Sequence, residues 1–367
     1  MNTSLRFLMT SPDLYPASMD MADRVISFFR LSKDNYRDSS FLDHRAARVD
    51  SQIYRANLDD FLLYDACVPA QSRLVHYIFH PSFACSTLLT RYLDLIPSCF
   101  VLREPNLLTQ VASMRPFHSA SAGEPSFDKA MEDWLHLFRV VLRLLRRTYG
   151  ARDVVIIKPN DQCNSLGEFL LKQNDESKIL FLSIDLRTFL ISVLKAPERR
   201  VWLRTRLRGA AKDAAHYELL ARVDSSNLDD AQAGAYLWLV NVCICQHLRM
   251  AAPDRVSILA GDSVANVPDA CLRTVASFFG LPLEYDQVGA LLTDPSVLKY
   301  SKGLSRPYDA VARRRNLAHA EESLGAEIEQ GIEWCQKLAE GVRLDWCLHP
   351  MPTTVHLKPA FRKPVPE

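Results

Sequence analysis

The chain has 367 residues, of which 48% are apolar and 24% charged, with 44 Lys and Arg against 43 Asp and Glu. That length can bury one large core or two modest ones, and the balance is that of an ordinary globular protein. A net charge of +1 argues against nucleic acid as the main partner.

The nine cysteines, Cys67, Cys85, Cys99, Cys163, Cys243, Cys245, Cys271, Cys335 and Cys347, are irregularly spaced and mostly lie inside apolar runs. That reads as buried free thiols in a reducing compartment, not as a disulfide framework or paired zinc ligands. Cys243 and Cys245, with His247 nearby, fall in the apolar run VNVCICQHL and read as core positions of a helix. The basic run Arg199, Arg200, Arg204, Arg206 and Arg208 reads either as a solvated helix face or as a cationic surface. MNTSLRFLMTSPDLYP lacks the apolar core of a signal peptide, and no stretch approaches the ~20 apolar residues that span a bilayer. The expectation is a cytoplasmic chain with no membrane span.

In chain order, residues 1–70 are expected to form a mainly helical accessory region. ADRVISFFRLS has apolar residues at helical spacing, and SQIYRANLDDFLLYDACVP supplies a second helix before a proline. The polar KDNYRDSSFLDHRAARVD connects them as loop or short helix. Residues 71–348 carry a different rhythm. RLVHYIFH, CFVLREP, DVVIIKPND, KILFLSIDLR and DRVSILAGD are short apolar strands. Between and after them come the helices STLLTRYLDLI, FDKAMEDWLHLFRVVLRLLRRTYG (with Gly150 as its C-cap), LGEFLLKQN, RTFLISVLK, DAQAGAYLWLVNVCICQHLRMA and VPDACLRTVASFFGLPL (capped by Gly280). Strands alternating with helices predict an α/β domain, a three-layer parallel sheet with helices on both faces. Such sheets bind ligands at the carboxyl ends of their strands. Residues 349–367 are a proline-rich tail.

The first strand runs into FHPSFACSTLL. A proline bend with small and hydroxyl residues leads into leucines, as where a strand turns through an anion-binding loop into a helix. There is no glycine and no Walker pattern, so conventional ATP or GTP hydrolysis is not expected. On its own the segment reads as a working anion loop, as its relic, or as a strand–helix junction with Ser86 as N-cap.

This loop resembles that of the sulfotransferase superfamily, Pro-Lys/Arg-Ser-Gly-Thr-Thr, with Ser86 and Thr87 on the threonines, Cys85 on the glycine, Ala84 on the serine and Phe83 where the cation stands. Further segments resemble the family in the right order over roughly residues 73–285. In LREPNLL, Glu104 takes the place of the catalytic glutamate of protein-tyrosine sulfotransferases. In VVIIKPND, Lys158 takes that of a lysine near the sulfonate. In FLSIDLRTFLISVLK, Asp185, Arg187 and Ser192 match a 3′-phosphate segment whose first arginine is here Ile184. Gly261 and Asp262 hold part of a later segment, and YSKG near residue 300 has a counterpart in divergent bacterial members.

The resemblance implies a P-loop nucleoside triphosphate hydrolase-like (sulfotransferase) fold. It also implies 3′-phosphoadenosine 5′-phosphosulfate as cosubstrate, no metal, and a small or medium hydroxyl-bearing acceptor. Glu104 would be the base and Lys158 the electrophilic group. Ser82, Phe83, Ala84, Cys85, Ser86 and Thr87 would form the donor loop. Arg187 and Ser192 would hold the 3′-phosphate, and Lys302 or His80 would replace the missing cation. Read from the residues alone, Glu104 with Arg103 is equally a surface feature or a cap, and Lys158 a lysine snorkelling to solvent. Ser192 is equally a core hydroxyl bonded back to its helix, and Arg187 an ion-pair partner of Asp185. The alternatives are a non-catalytic nucleotide-binding or interaction protein on the same fold and, ranked lower for want of a Walker lysine or magnesium site, a nucleotide-dependent kinase.

Overall fold

The computed structural model describes residues 3–69, 73–117, 125–151, 153–284, 286–295, 297 and 310–340. The N-terminal segment runs α1 (Thr3–Thr10), β1 (Leu14–Asp20), β2 (Val25–Arg30), α2 (Lys33–Asp38), β3 (Ile53–Asn57) and α3 (Leu58–Cys67). β1, β2 and β3 form an antiparallel sheet in that order. This corrects the helix expected over ADRVISFFRLS. Ile26 and Phe28, two apart, point together into the core and are fully buried, so the period is two. β-branched and aromatic residues favour the strand. The edge of β1 is covered rather than left open. Gln110 accepts from the Met19 N–H (2.8 Å) and donates to the Met19 carbonyl (3.0 Å), and Asn106 donates to Ala17 (3.2 Å).

The second sheet collects β4 (Val75–Phe79), β5 (Cys99–Arg103), β6 (Val154–Lys158), β7 (Ile179–Ser183) and β8 (Val256–Ala260). All pair in parallel, in the order β5-β6-β4-β7-β8. These are the five strands expected from the apolar runs, and their burial on both faces is why those runs barely alternate. The connections carry α4 (Ser86–Asp94), α5 (Asn106–Ser113), α6 (Pro125–Leu145), α7 (Gly167–Leu171), α8 (Leu186–Leu194), α9 (Pro197–Ala214), α10 (Glu218–Ala221) and α11 (Asp230–Ala251). After β8 come α12 (Ser263–Asn266), α13 (Pro268–Phe279), α14 (Gln287–Thr293) and α15 (Ala310–Leu338). Right-handed crossovers put α4 on one face and the connections leaving β5, β6 and β7 on the other. The packing agrees: α13 lies against α4, whereas α5 lies against α6, and α8, α9, α11 and α15 cluster together.

Gly280 caps α13 in the left-handed region at φ +69°. Gly150 does not cap α6, which stops at Leu145. Instead its N–H donates to the Asp153 carboxylate (2.8 Å) in the turn before β6.

Arg103 adds a buried tie between the N-terminal segment and the large sheet. Arg103, 1% exposed at the end of β5, pairs with Asp94 (2.7 Å) and donates to the carbonyls of Tyr36, Arg37 and Ser39 at the end of α2. The eight described cysteines are free, and burial pushes thiols such as Cys163 and Cys271 up to about 12, which keeps them protonated and unreactive. No helix among the described residues is long and apolar enough to cross a membrane.

Candidate functional site

In this strand order the chain leaves central β4 toward one face and leaves its neighbours β6 and β7 toward the other. A crevice therefore opens at their carboxyl ends. The loop from β4 into α4 sits there. Ser82, Phe83 and Cys85 have φ of +70°, +59° and +56°, so three residues with side chains occupy the left-handed region where glycine is the usual choice. Such residues cost of order 1–3 kcal/mol each and persist where surroundings hold them.

Contacts along the loop hold it in place. The Ser82 N–H donates to His80 Nδ1 (3.0 Å), and His80 Nε2 donates to the Pro159 carbonyl (3.2 Å). The Phe83 ring lies 6.1 Å from Phe189 and 5.4 Å from Trp202, with the Arg199 guanidinium 5.0 Å above it. The Ala84 backbone rests on Gly261, where an added Cβ would stand 2.4 Å from the Ala84 oxygen. Gly261→Ala is therefore expected to destabilise the fold by about 1–3 kcal/mol and to displace the loop. Urea denaturation checks this, and an unchanged midpoint would contradict the close approach.

Cys85, not Ser86, is the N-cap of α4, and it makes no side-chain cap bond. The amides of Ser86, Thr87 and Leu88 open the helix, where no carbonyl one turn back can accept them. Amides and helix dipole together favour an anion at this end.

The next two strands end side by side, with Arg103 in register with Lys158. One residue on, Glu104 turns into the left-handed region at φ +52°, and its N–H donates to the Lys158 carbonyl (2.6 Å). The Lys158 ammonium is ion-paired with the Glu104 carboxylate, and Asn160 Nδ2 lies 3.5 Å from the other carboxylate oxygen. Lys158 does not snorkel: its side chain is 1% exposed, against 16% for Glu104, so solvent reaches the pair through the carboxylate. Phe41 from the N-terminal segment overlooks the pair, its ring 5.7 Å from the ammonium and 3.9 Å from the Arg45 guanidinium.

Behind lies a buried polar layer. Asp161 pairs with Arg206 (3.2 Å), and Asn164 donates to the His80 carbonyl (2.8 Å) and to Asn241 (2.7 Å). Burial raises the Asp161 pKa, the Arg206 guanidinium opposes that, and Glu104 adds to the rise.

His80 cannot be the replacement cation. Nδ1 accepts and Nε2 donates, so the ring is the neutral tautomer, and burial followed by the Lys158 charge holds its pKa well below the ordinary value. His76 is built alike: it accepts from the Lys178 N–H and donates to Phe279, and burial lowers its pKa to about 4. With folded values below the unfolded one, both contribute stability above pH ~6.5 that is lost as pH falls toward 4, by up to about 1.4 kcal/mol per pH unit for each ring. The melting temperature is expected to drop between pH 7 and pH 5. A flat profile would contradict neutral buried rings.

The remaining expected residues divide. Ser192 is buried on α8, and its carbonyl accepts from Arg199. Arg187 pairs neither with Asp185 nor with any group of the loop. Asp185 caps α8 by accepting from Thr188 (2.8 Å), while Arg187 pairs with Glu321 (3.2 Å) and Glu329 of α15. Lys302 lies outside the described residues. Arg206 leaves the solvated-face reading of the basic run, since it is 6% exposed. Asn160, Asp161, Arg199 and Arg206 also lie beside the loop or the Glu104–Lys158 pair, and the sequence had marked only the two arginines, as part of a basic run. For Asn160 and Asp161 the available signal was the polar pair that follows Lys158 and Pro159. Among the described residues no group of three His, Cys, Asp or Glu is placed to hold a metal ion.

No protein-family model matches the sequence, and no curated protein matches it. Solved structures do. The sulfotransferase domain from the curacin biosynthetic pathway is 11% identical with a TM-score of 0.40, over 70% of this chain and 99% of that one. Mouse sulfotransferase SULT7A1 complexed with PAP is 10% identical with a TM-score of 0.39, over 79% and 93%. The sulfotransferase from Alicyclobacillus acidocaldarius is 14% identical with a TM-score of 0.36, over 75% and 99%. The likeness is low in identity and in superposition, and it assigns no role to any residue of this chain.

Proposed function

We propose that the chain is a sulfotransferase that moves a sulfuryl group from 3′-phosphoadenosine 5′-phosphosulfate to a hydroxyl-bearing acceptor. The observation that supports this most is the Glu104–Lys158 pair on adjacent strand ends, beside a loop of left-handed residues that runs into the amino end of α4. The acceptor oxygen bonds to sulfur while its proton passes to Glu104. The bond from sulfur to the 5′-phosphate oxygen breaks, the electron pair stays on that oxygen, and adenosine 3′,5′-bisphosphate leaves. Lys158 turns its charge to the sulfonate and the bridging oxygen, where negative charge develops. Until a donor arrives, each member of the buried pair neutralises the other. The 5′-side phosphate rests on the amides and hydroxyls of Ser86 and Thr87. Arg199, over Phe83, supplies the cation that position 83 lacks. Ser192 lies on the side of the 3′-phosphate, and Arg187 joins it once its pairs with α15 open.

Those pairs also favour a second reading, a nucleotide-binding protein without turnover, because they keep Arg187 from a phosphate in the form described. Transfer from radiolabelled donor to a panel of phenols, alcohols and sugars separates the two. Labelled product is expected from the unaltered chain, and Lys158→Ala should lower its rate by tenfold or more, roughly the effect of losing one charge-stabilising donor. Donor binding without product across the panel would favour the second reading, and an unaffected Lys158→Ala rate would remove Lys158 from the site.

A further inference from the structure

The opposite edge of the large sheet carries a second concave feature. A cavity of about 420 Å³ is lined by Asp65, Cys67 and Pro69 at the end of α3, by Arg139, Arg143 and Arg146 at the end of α6, and by Gln173 beyond α7. α6 and α7 lead into β6 and β7, so this cavity faces the amino ends of the strands. Glu104 and Lys158 stand at the carboxyl ends. The volume falls within the range that takes small molecules.

Its charge is unbalanced. Three guanidinium groups face one carboxylate. Arg143 takes most of that carboxylate: it pairs with Asp65 (3.2 Å) and donates to the Val68 (2.6 Å) and Pro69 (3.2 Å) carbonyls, which closes the end of α3. Arg139 reaches Asp65 only at 3.9 Å and is half exposed, and His136 also lies 3.9 Å from it. Arg146 has no such partner. Its Nε and Nη2 are buried without a hydrogen bond, beside the Tyr77 hydroxyl, which is also unsatisfied. The guanidinium and the hydroxyl interact electrostatically. Buried donors left unmade cost about 1–3 kcal/mol, more when charged, and seldom stand without a reason. Arg146 lines the cavity beside Arg139, and planar guanidinium groups lining one concavity match an oxyanion.

We infer that this pocket binds a small phosphate-bearing solute, held by Arg146 and Arg139 with Arg143 fixed behind them. The site is separate from the proposed transfer site and does not depend on that reading. A soluble ligand fits better than a nucleic acid because the cationic surface is a single concavity on a chain of net charge +1.

Titration of the full chain with sodium pyrophosphate at low ionic strength tests this by calorimetry. Saturable binding is expected, weakened roughly tenfold or more by Arg146→Met, which keeps the stem and removes the donors, and likewise by Arg139→Ala. Arg139 is half exposed, so its variant folds even if Arg146→Met does not. Pyrophosphate held instead at the amino end of α4 would be indifferent to both substitutions. That result, or no binding to the unaltered chain, would overturn the proposal.

Discussion

Glu104→Gln is expected to lower turnover by roughly 10²-fold or more while leaving donor affinity nearly unchanged. Glutamine keeps the size of the side chain and can still accept from Lys158 and Asn160, but it cannot take the acceptor's proton. Glu104, in left-handed backbone, is the more exposed member of its pair with Lys158, the side from which an acceptor hydroxyl would meet it. A purely structural Glu104 would behave differently. Losing the charge beside a lysine that is 1% exposed would then reduce stability and donor affinity together, and turnover per folded molecule would stay the same. Kinetics and urea denaturation on the same variant separate these outcomes.

Asp94→Ala should cost about 3–5 kcal/mol of folding stability, a large share of the ~5–15 kcal/mol a domain typically has. The reason lies with Arg103, whose guanidinium is almost fully buried and whose one carboxylate partner among the described residues is Asp94. The other acceptors, the carbonyls of Tyr36, Arg37, Ser39 and Thr90, are neutral and cannot replace a counter-charge. Because Arg103 also binds the N-terminal segment to β5, the small sheet should loosen first. Faster proteolysis near residues 33–50 would register that. A loss below about 1 kcal/mol would mean that the pair is far better solvated than its burial implies.

The five strands of the large sheet were legible because an apolar run of five or six residues between turn signals has few other solutions. β2 was not, since Val25, Phe28 and Phe29 satisfy a helical spacing while Ile26 and Phe28 satisfy an alternating one. The choice was made by pairing with β1 and β3, which are remote from the pattern itself. That Glu104 and Lys158 lie together follows from their places, one directly after a strand and one at a strand end, since parallel register brings strand ends together. The loop conformation could not be read. Nothing in Ser-Phe-Ala-Cys announces left-handed backbone, which is imposed by His80, Gly261 and the aromatic seat of Phe83. Arg199 and Arg206 stayed hidden in a run of arginines because only the packing of α9 decides which of them turn inward. Arg187 illustrates the converse. Its place in the pattern suggested a phosphate, and carboxylates of α15, distant in sequence, take its charge in the fold.

The β4–α4 loop, without glycine or lysine, is expected to hold a 3′-phosphorylated adenosine nucleotide. Calorimetry with adenosine 3′,5′-bisphosphate in the presence of a chelator, and separately with ATP and magnesium, tests it most directly. The expected result is metal-independent binding of the bisphosphate at least roughly tenfold tighter than that of ATP. Tighter binding of ATP with magnesium, or no binding of either nucleotide, would contradict it.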